Sequence, residues 1–232
     1  MCIRDSSYSG ADVSNYSVTD QSSTTANITA KSLTVSGITA SDKIYDGSTS
    51  STLTGTAVYS GLVSGDIFTG SYSGVFANAN VGTGKTVNIT PSYSGADVSN
   101  YSVTNQSTTT ANITAKALTA TASASNKTYD GGTTASTTLT FTGLVGTETL
   151  GQTVGSTFDN KNVGTGKTVT VNSITLADGS GLAANYSISA GQTTTANITA
   201  KSLTVSGITA SNKMYDGNAV ACLLYTSPSP RD

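Results

Sequence analysis

Apolar positions in this chain alternate with polar ones over short stretches. Leu33 and Val35 flank Thr34, Val87 and Ile89 flank Asn88, and Tyr101 and Val103 flank Ser102. Alternation with a period of two, cut short by turn residues, marks half-buried β-strands. The turn residues stand between these stretches: Asp46-Gly47, Ser64-Gly65, Gly82 and Gly84, and Gly95. Asp-Gly is a strong tight-turn signal because glycine takes positive φ without steric cost. Over residues 31–115 the pattern predicts about seven strands, near 32–38, 43–45, 51–59, 67–76, 85–92, 100–105 and 108–114. No window carries the apolar stripe of an amphipathic helix.

The pattern then returns. The stretch TTANITAK at residues 24–31 recurs at 109–116 and 194–201, 85 residues apart each time. Residues 194–211 match 24–41 at every position, and residues 8–19 match 93–104. Self-similarity at a fixed period is the signature of a repeat array. Residues 7–30 read as the C-terminal part of one copy, 31–115 and 116–200 as two complete copies, and 201–221 as the start of another. Seven short strands in 85 residues predict an all-β chain of tandem small antiparallel β-sandwich domains, immunoglobulin-like in plan. A domain of that length buries roughly 60–65% of its unfolded surface, enough for a core without disulfides. A β-solenoid would show a shorter internal period of about 20–30 residues, which is not seen.

The two ends read differently from the rest. One coding of residues 222–227 is TGT CTC TTA TAC ACA TCT. The opposite strand contains ATG TGT ATA AGA GAC A, which encodes Met1, Cys2, Ile3, Arg4, Asp5 and the start of Ser6. Residues 1–6 and 222–232 are therefore expected to be translated sequencing adaptor rather than natural protein, and fold reasoning excludes such segments. Between them the chain has no Cys, His, Trp or Arg, so neither a disulfide framework nor a thiolate metal site is expected.

Composition supports strands over disorder. Serine and threonine make up about a third of the chain, yet formal net charge is only −2 and β-branched residues are plentiful. No apolar run approaches the roughly 18 residues of a membrane-spanning helix. No basic patch is present to hold a phosphate backbone, so nucleic acid is not an expected partner.

Certain residues recur with the period: Lys43-Ile44-Tyr45-Asp46-Gly47, the stretch from Asn80 and Val81 through Gly82-Thr83-Gly84-Lys85-Thr86-Val87, Asn100-Tyr101, and Ala111-Asn112-Ile113-Thr114. The second copy matches at 127–131, 162–169, Asn185-Tyr186 and 196–199. This set resembles the YDG-type repeats and the related, mostly bacterial immunoglobulin-like repeats of large haemagglutinin-like surface adhesins. The resemblance covers nearly all of residues 7–221. It implies a secreted, cell-surface, non-enzymatic β-rich array, a structural stalk or spacer that presents a distal adhesive region. Its partners would be neighbouring repeats, and host or matrix glycans or proteins through regions outside this chain. The resemblance brings no defined binding site. Alternatives are that each repeat binds glycan or matrix weakly and gains by avidity, or that the repeats space an extracellular enzyme.

Several motifs invite a chemical reading. Tyr45-Asp46-Gly47, Tyr129-Asp130-Gly131 and Tyr215-Asp216-Gly217 each offer one carboxylate where a calcium loop needs several oxygens, so they read as turns. Gly82-Thr83-Gly84-Lys85-Thr86 and Gly164-Thr165-Gly166-Lys167-Thr168 mimic the end of a P-loop, but Ala79 and Lys161 stand where its first glycine belongs. Asn15, Asn27, Asn88, Asn100, Asn105, Asn112, Asn126, Asn185 and Asn197 each begin an N-x-Ser/Thr triplet, a potential glycosylation site. With no His and Glu148 as the sole glutamate, no catalytic residue, cofactor-binding residue or metal ligand is assigned and no cofactor is expected.

Overall fold

A computed structural model describes residues 8–19, 21 and 23–220, together with the backbone of 223–224. The adaptor expectation for residues 1–6 and 222–232 otherwise falls outside the described residues. The chain divides into two compact units: Met1–Lys43 with Thr49–Asn78 and Gly82–Asn112, and Ile44–Ser48 with Ala79–Val81 and Ile113–Asp232. Two short segments of the first repeat, around Tyr45 and Val81, thus belong to the second unit.

Residues 31–115 form β1 (Lys31–Ser36), β2 (Thr39–Ala40), β3 (Lys43–Ile44), β4 (Ser50–Ser51) and β5 (Leu53–Thr54). They continue with β6 (Val58–Ser60), β7 (Thr69–Phe76), β8 (Gly82–Ser94), β9 (Tyr101–Thr104) and β10 (Thr108–Thr114). One sheet has the order β6-β1-β9 and a larger one β3-β10-β8-β7-β4, while β2 and β5 pair separately. The strand expected at 51–59 is broken into three short pieces. Gly55 turns the chain there at φ +83°, and β5 leaves the larger sheet to pair with β2.

The fold is all-β, as the alternation predicted, but the sheets are mixed rather than purely antiparallel. β1 runs parallel to β9, with Lys31 opposite Tyr101 and Thr34 opposite Thr104. Parallel pairing needs a long connection, and here most of the repeat lies between the two strands. The core sits between the sheets. Leu33 and Val35 on one face of β1 are fully or almost fully buried. Leu33 packs with Phe68 and Tyr101, and Val35 with Ile38 and Ile89 from β8. Each such side chain stabilises the fold by roughly 1.5–3 kcal/mol through burial alone.

Residues 116–200 repeat the plan. Their strands are β11 (Lys116–Ala117), β12 (Thr119–Ala124), β13 (Lys127–Thr128), β14 (Thr134–Ala135) and β15 (Thr137–Thr142), then β16 (Leu150–Phe158), β17 (Gly164–Asp178), β18 (Tyr186–Ser187) and β19 (Thr193–Thr199). The five-stranded sheet has the order β13-β19-β17-β16-β14, with β13 parallel to β19. A long hairpin pairs β16 with β17 from Leu150 opposite Asp178 to Phe158 opposite Val169, with a bulge at Gly155/Ser156. Phe158, Val169 and Ile198 form its core with Ala135 and Ala196. Among the described residues no helix is long and apolar enough to cross a membrane.

Candidate functional site

The recurring residues fall into three assemblies, and each is built mainly from bonds within the protein. The first is the Tyr-Asp-Gly turn. Asp46 Oδ1 accepts the Ser48 N–H at 2.8 Å, Asp130 Oδ1 accepts the Gly132 N–H at 2.9 Å, and Asp216 Oδ1 accepts the Asn218 N–H at 3.0 Å. An aspartate that bonds the backbone two residues on mimics a turn by itself. The following glycines take φ of +77°, +83° and +75°, the left-handed region that glycine enters without strain. The lysine that precedes the turn clamps it. Lys127 Nζ donates to Asp130 Oδ1 and Gly132 O at 2.8 Å and to Thr134 O at 3.1 Å, beside the Phe158 ring. That hydrogen bond from Lys127 holds the Asp130 carboxyl below its ordinary range.

The second assembly joins the glycine-rich loop to the Asn of the ANIT segment. Asn112 Oδ1 accepts the Gly84 N–H at 2.8 Å, and Asn197 Oδ1 accepts the Gly166 N–H at 2.8 Å. Asn112 in turn donates its backbone N–H to Asp42 Oδ1 at 2.7 Å and its side-chain Nδ2 to Asp42 Oδ2 at 2.9 Å. These bonds, the backbone one foremost, lower the Asp42 pKa. In the second repeat Asn126 Oδ1 accepts the Asn197 N–H at 2.7 Å. The loop lysines are engaged too: Lys85 Nζ lies 2.6 Å from Asn78 Oδ1, and Lys167 Nζ lies 2.6 Å from Asn160 Oδ1 and 3.0 Å from Asp159 Oδ1. The Gly-Lys pair sits within a strand, β8 or β17, where a phosphate cradle needs a helix N-terminus. The triplet asparagines Asn112 and Asn197 are thus loop fasteners, and Asn185, 2% exposed, is closed to a glycan.

The third assembly lies in the second compact unit. Glu148 accepts two phenols, from Tyr45 to Oε1 at 2.7 Å and from Tyr186 to Oε2 at 2.6 Å. The two rings meet edge to face with centroids 5.4 Å apart. Tyr186 also accepts the Val145 N–H at 2.9 Å. Beside it, Asn185 Oδ1 accepts the Val81 N–H at 2.9 Å while its Nδ2 donates to Asn80 Oδ1 at 3.2 Å. Burial first, then the bond to the Glu148 carboxylate, pushes the Tyr45 pKa up to about 12. The same two causes raise Tyr186. Two phenols on one carboxylate are charge-assisted bonds that fix position, and neither phenol is disposed to act as an acid near neutrality.

The sequence pattern locates the turns and the glycine-rich loops but not their fastenings. Glu148 stands out in it only as the sole glutamate, and Asn112 and Asn197 only as triplets. The recurrence of these two asparagines 85 residues apart, each in the same Ala-Asn-Ile-Thr segment, is the signal that could have found them. Among the described residues, no three His, Cys, Asp or Glu side chains gather as a metal site would require.

Units in tandem built from several small sheets, each fastened by recurring Asp, Asn and Lys side chains, define an all-β repeat protein. A family model described as YDG domain matches the chain twice, over residues 29–111 and 114–196. The chain belongs to the YDG domain family and carries two tandem copies of the domain. No curated protein and no solved structure matches it.

Proposed function

We propose that these repeats are the structural stalk of a large secreted bacterial surface adhesin, holding a distal adhesive region away from the cell. One observation carries the reading: the polar side chains that recur with the repeat are bonded to one another and to the backbone. Asp46, Asn112, Lys85, Lys127 and Asn197 each tie a loop to its own frame. Binding modules place recurring polar groups where a ligand can reach them. A spacer places them where they hold the domain in shape under load. In this reading the repeats catalyse nothing, and adhesion belongs to other parts of the protein at the cell surface.

The test is to present the full chain to a panel of host and matrix glycans and proteins. A stalk gives no saturable binding. Specific binding to any member, lost when the surface is blocked with that ligand in solution, would make each repeat an adhesive module and overturn the proposal.

A further inference from the structure

The assembly around Glu148 has counterparts elsewhere in the chain, and the two halves of it occur apart. One half is a socket: Val145, Glu148, Asn185 and Tyr186. The first repeat carries the same socket as Val63, Asp66, Asn100 and Tyr101. There Tyr101 donates its hydroxyl to Asp66 Oδ2 at 2.6 Å and accepts the Val63 N–H at 2.9 Å, bond for bond as Tyr186 does. The other half is a plug: Tyr45 of the Tyr-Asp-Gly turn with Asn80 and Val81. The second repeat carries the same plug as Tyr129, Asn162 and Val163. The backbone holds both tyrosines alike, since Tyr45 N–H donates to Thr114 O at 2.9 Å and Tyr129 N–H to Thr199 O at 2.8 Å.

Burial separates the engaged copy from the unengaged ones. Asn185 is 2% exposed under Asn80 and Val81, whereas Asn100 is exposed. Tyr45 is buried against Tyr186, whereas Tyr129 is half-buried and Val163 exposed.

We infer that the socket at Asp66, Asn100 and Tyr101 and the plug at Tyr129, Asn162 and Val163 form an interaction surface for a second copy of this domain, joined head to tail. The bonds follow from the engaged copy. The Asn100 amide takes the Val163 N–H and donates to Asn162, and the Asp66 carboxylate, one methylene shorter than Glu148, takes the Tyr129 hydroxyl. A heterologous contact of this kind does not close on itself in pairs; it closes into a ring or propagates into an open chain. The inference rests on contacts within the second unit and not on the stalk reading, so either can fail without the other.

The test is sedimentation velocity of the full chain across a concentration series up to the millimolar range, in reducing buffer so that Cys2 and Cys222 form no disulfide. The expected result is reversible growth into dimers and longer species. Asn100→Ala and Val163→Asp change exposed residues and leave the fold intact. Each should weaken association by roughly tenfold or more, the loss expected from one buried hydrogen-bonding group. A mixture of the two variants retains one good socket and one good plug, so it should stop at dimers. A single monomeric species at every concentration overturns the inference. So does association that both variants leave unchanged, or a mixture that forms species longer than dimers.

Discussion

Residues 31–41 and 201–211 have the same sequence, KSLTVSGITAS, and different structures. In the first, Lys31–Ser36 is a strand with Leu33 and Val35 buried between sheets. In the second, no strand forms over the same six residues, and Leu203 and Val205 are 85% and 58% exposed. The first has partners on both edges, β6 and β9, and β8 across the core. A different pair of identical segments behaves the opposite way. Residues 13–15 and 98–100 both close a single 3-10 turn, after Asp12 and Asp97 with nearly equal backbone angles. The turn depends on its own few residues, and the strand depends on company. In this protein turns are local and strands are tertiary, consistent with the context dependence of β-propensity.

The largest effect should come from making one substitution in both copies of the identical segment. Leu33→Ala should destabilise the first unit by about 2–5 kcal/mol, the range for emptying a buried leucine site. Leu203→Ala should change stability by no more than about 0.5 kcal/mol, as exposed substitutions do. Urea denaturation of the two full-length variants makes the comparison, and equal losses would break it.

The Tyr-Asp-Gly turn allows the next comparison, since Tyr45 is buried and Tyr215 is 98% exposed. Glu148→Ala leaves two phenols without their acceptor and should cost about 1–3 kcal/mol in the second unit. Glu148→Gln keeps an acceptor for one phenol and a donor for the other, and should cost less. Thermal unfolding of both variants orders them.

Burial of Tyr45, and after it the same carboxylate, makes stability sensitive to alkali. The folded-state pKa of Tyr45 is raised from 10.0 to about 12, so the neutral phenol is favoured by folding. Its contribution is whole below pH 10 and is lost as pH rises toward 12. Tm should therefore fall across that window. Glu148→Gln removes the charge that opposes tyrosinate formation and should make the fall shallower. Identical slopes for the two proteins would contradict the assignment.

The smallest difference expected is between glycines. Gly47 and Gly131 share the left-handed conformation, so alanine at either should cost about 1 kcal/mol. A Cβ on Gly47 would also sit 2.9 Å from Val145 Cγ1, while one on Gly131 meets nothing within 4 Å. Gly47→Ala should be the more damaging by about a few tenths of a kcal/mol or more. Paired melting curves of the two variants measure it.

This division between local and tertiary also explains what the sequence could reveal. The Asp-Gly turns and the alternating strands at Leu33, Val87 and Tyr101 are legible because their signals lie within a few residues. The parallel pairing of β1 with β9 is not, because Lys31 and Tyr101 meet across most of a repeat. The break in the strand at 51–59 is hidden for a different reason. Leu53, Ala57 and Tyr59 continue the period-two alternation on either side of Gly55, so the turn leaves no gap in the pattern. The fastening sites obey the same rule. Asp46 bonding Ser48 can be read from the turn motif, whereas Asn112 meeting Gly84 and Glu148 meeting Tyr45 depend on long-range register.

Single-molecule extension of the full chain between its two ends shows whether the repeats are modules built to resist force. Two discrete unfolding events are expected, one for each 85-residue repeat. Each should release a contour length of about 300 Å, less the folded span, at roughly 3.5 Å per residue. Smooth extension without force peaks, or both repeats yielding in one event, would contradict the claim.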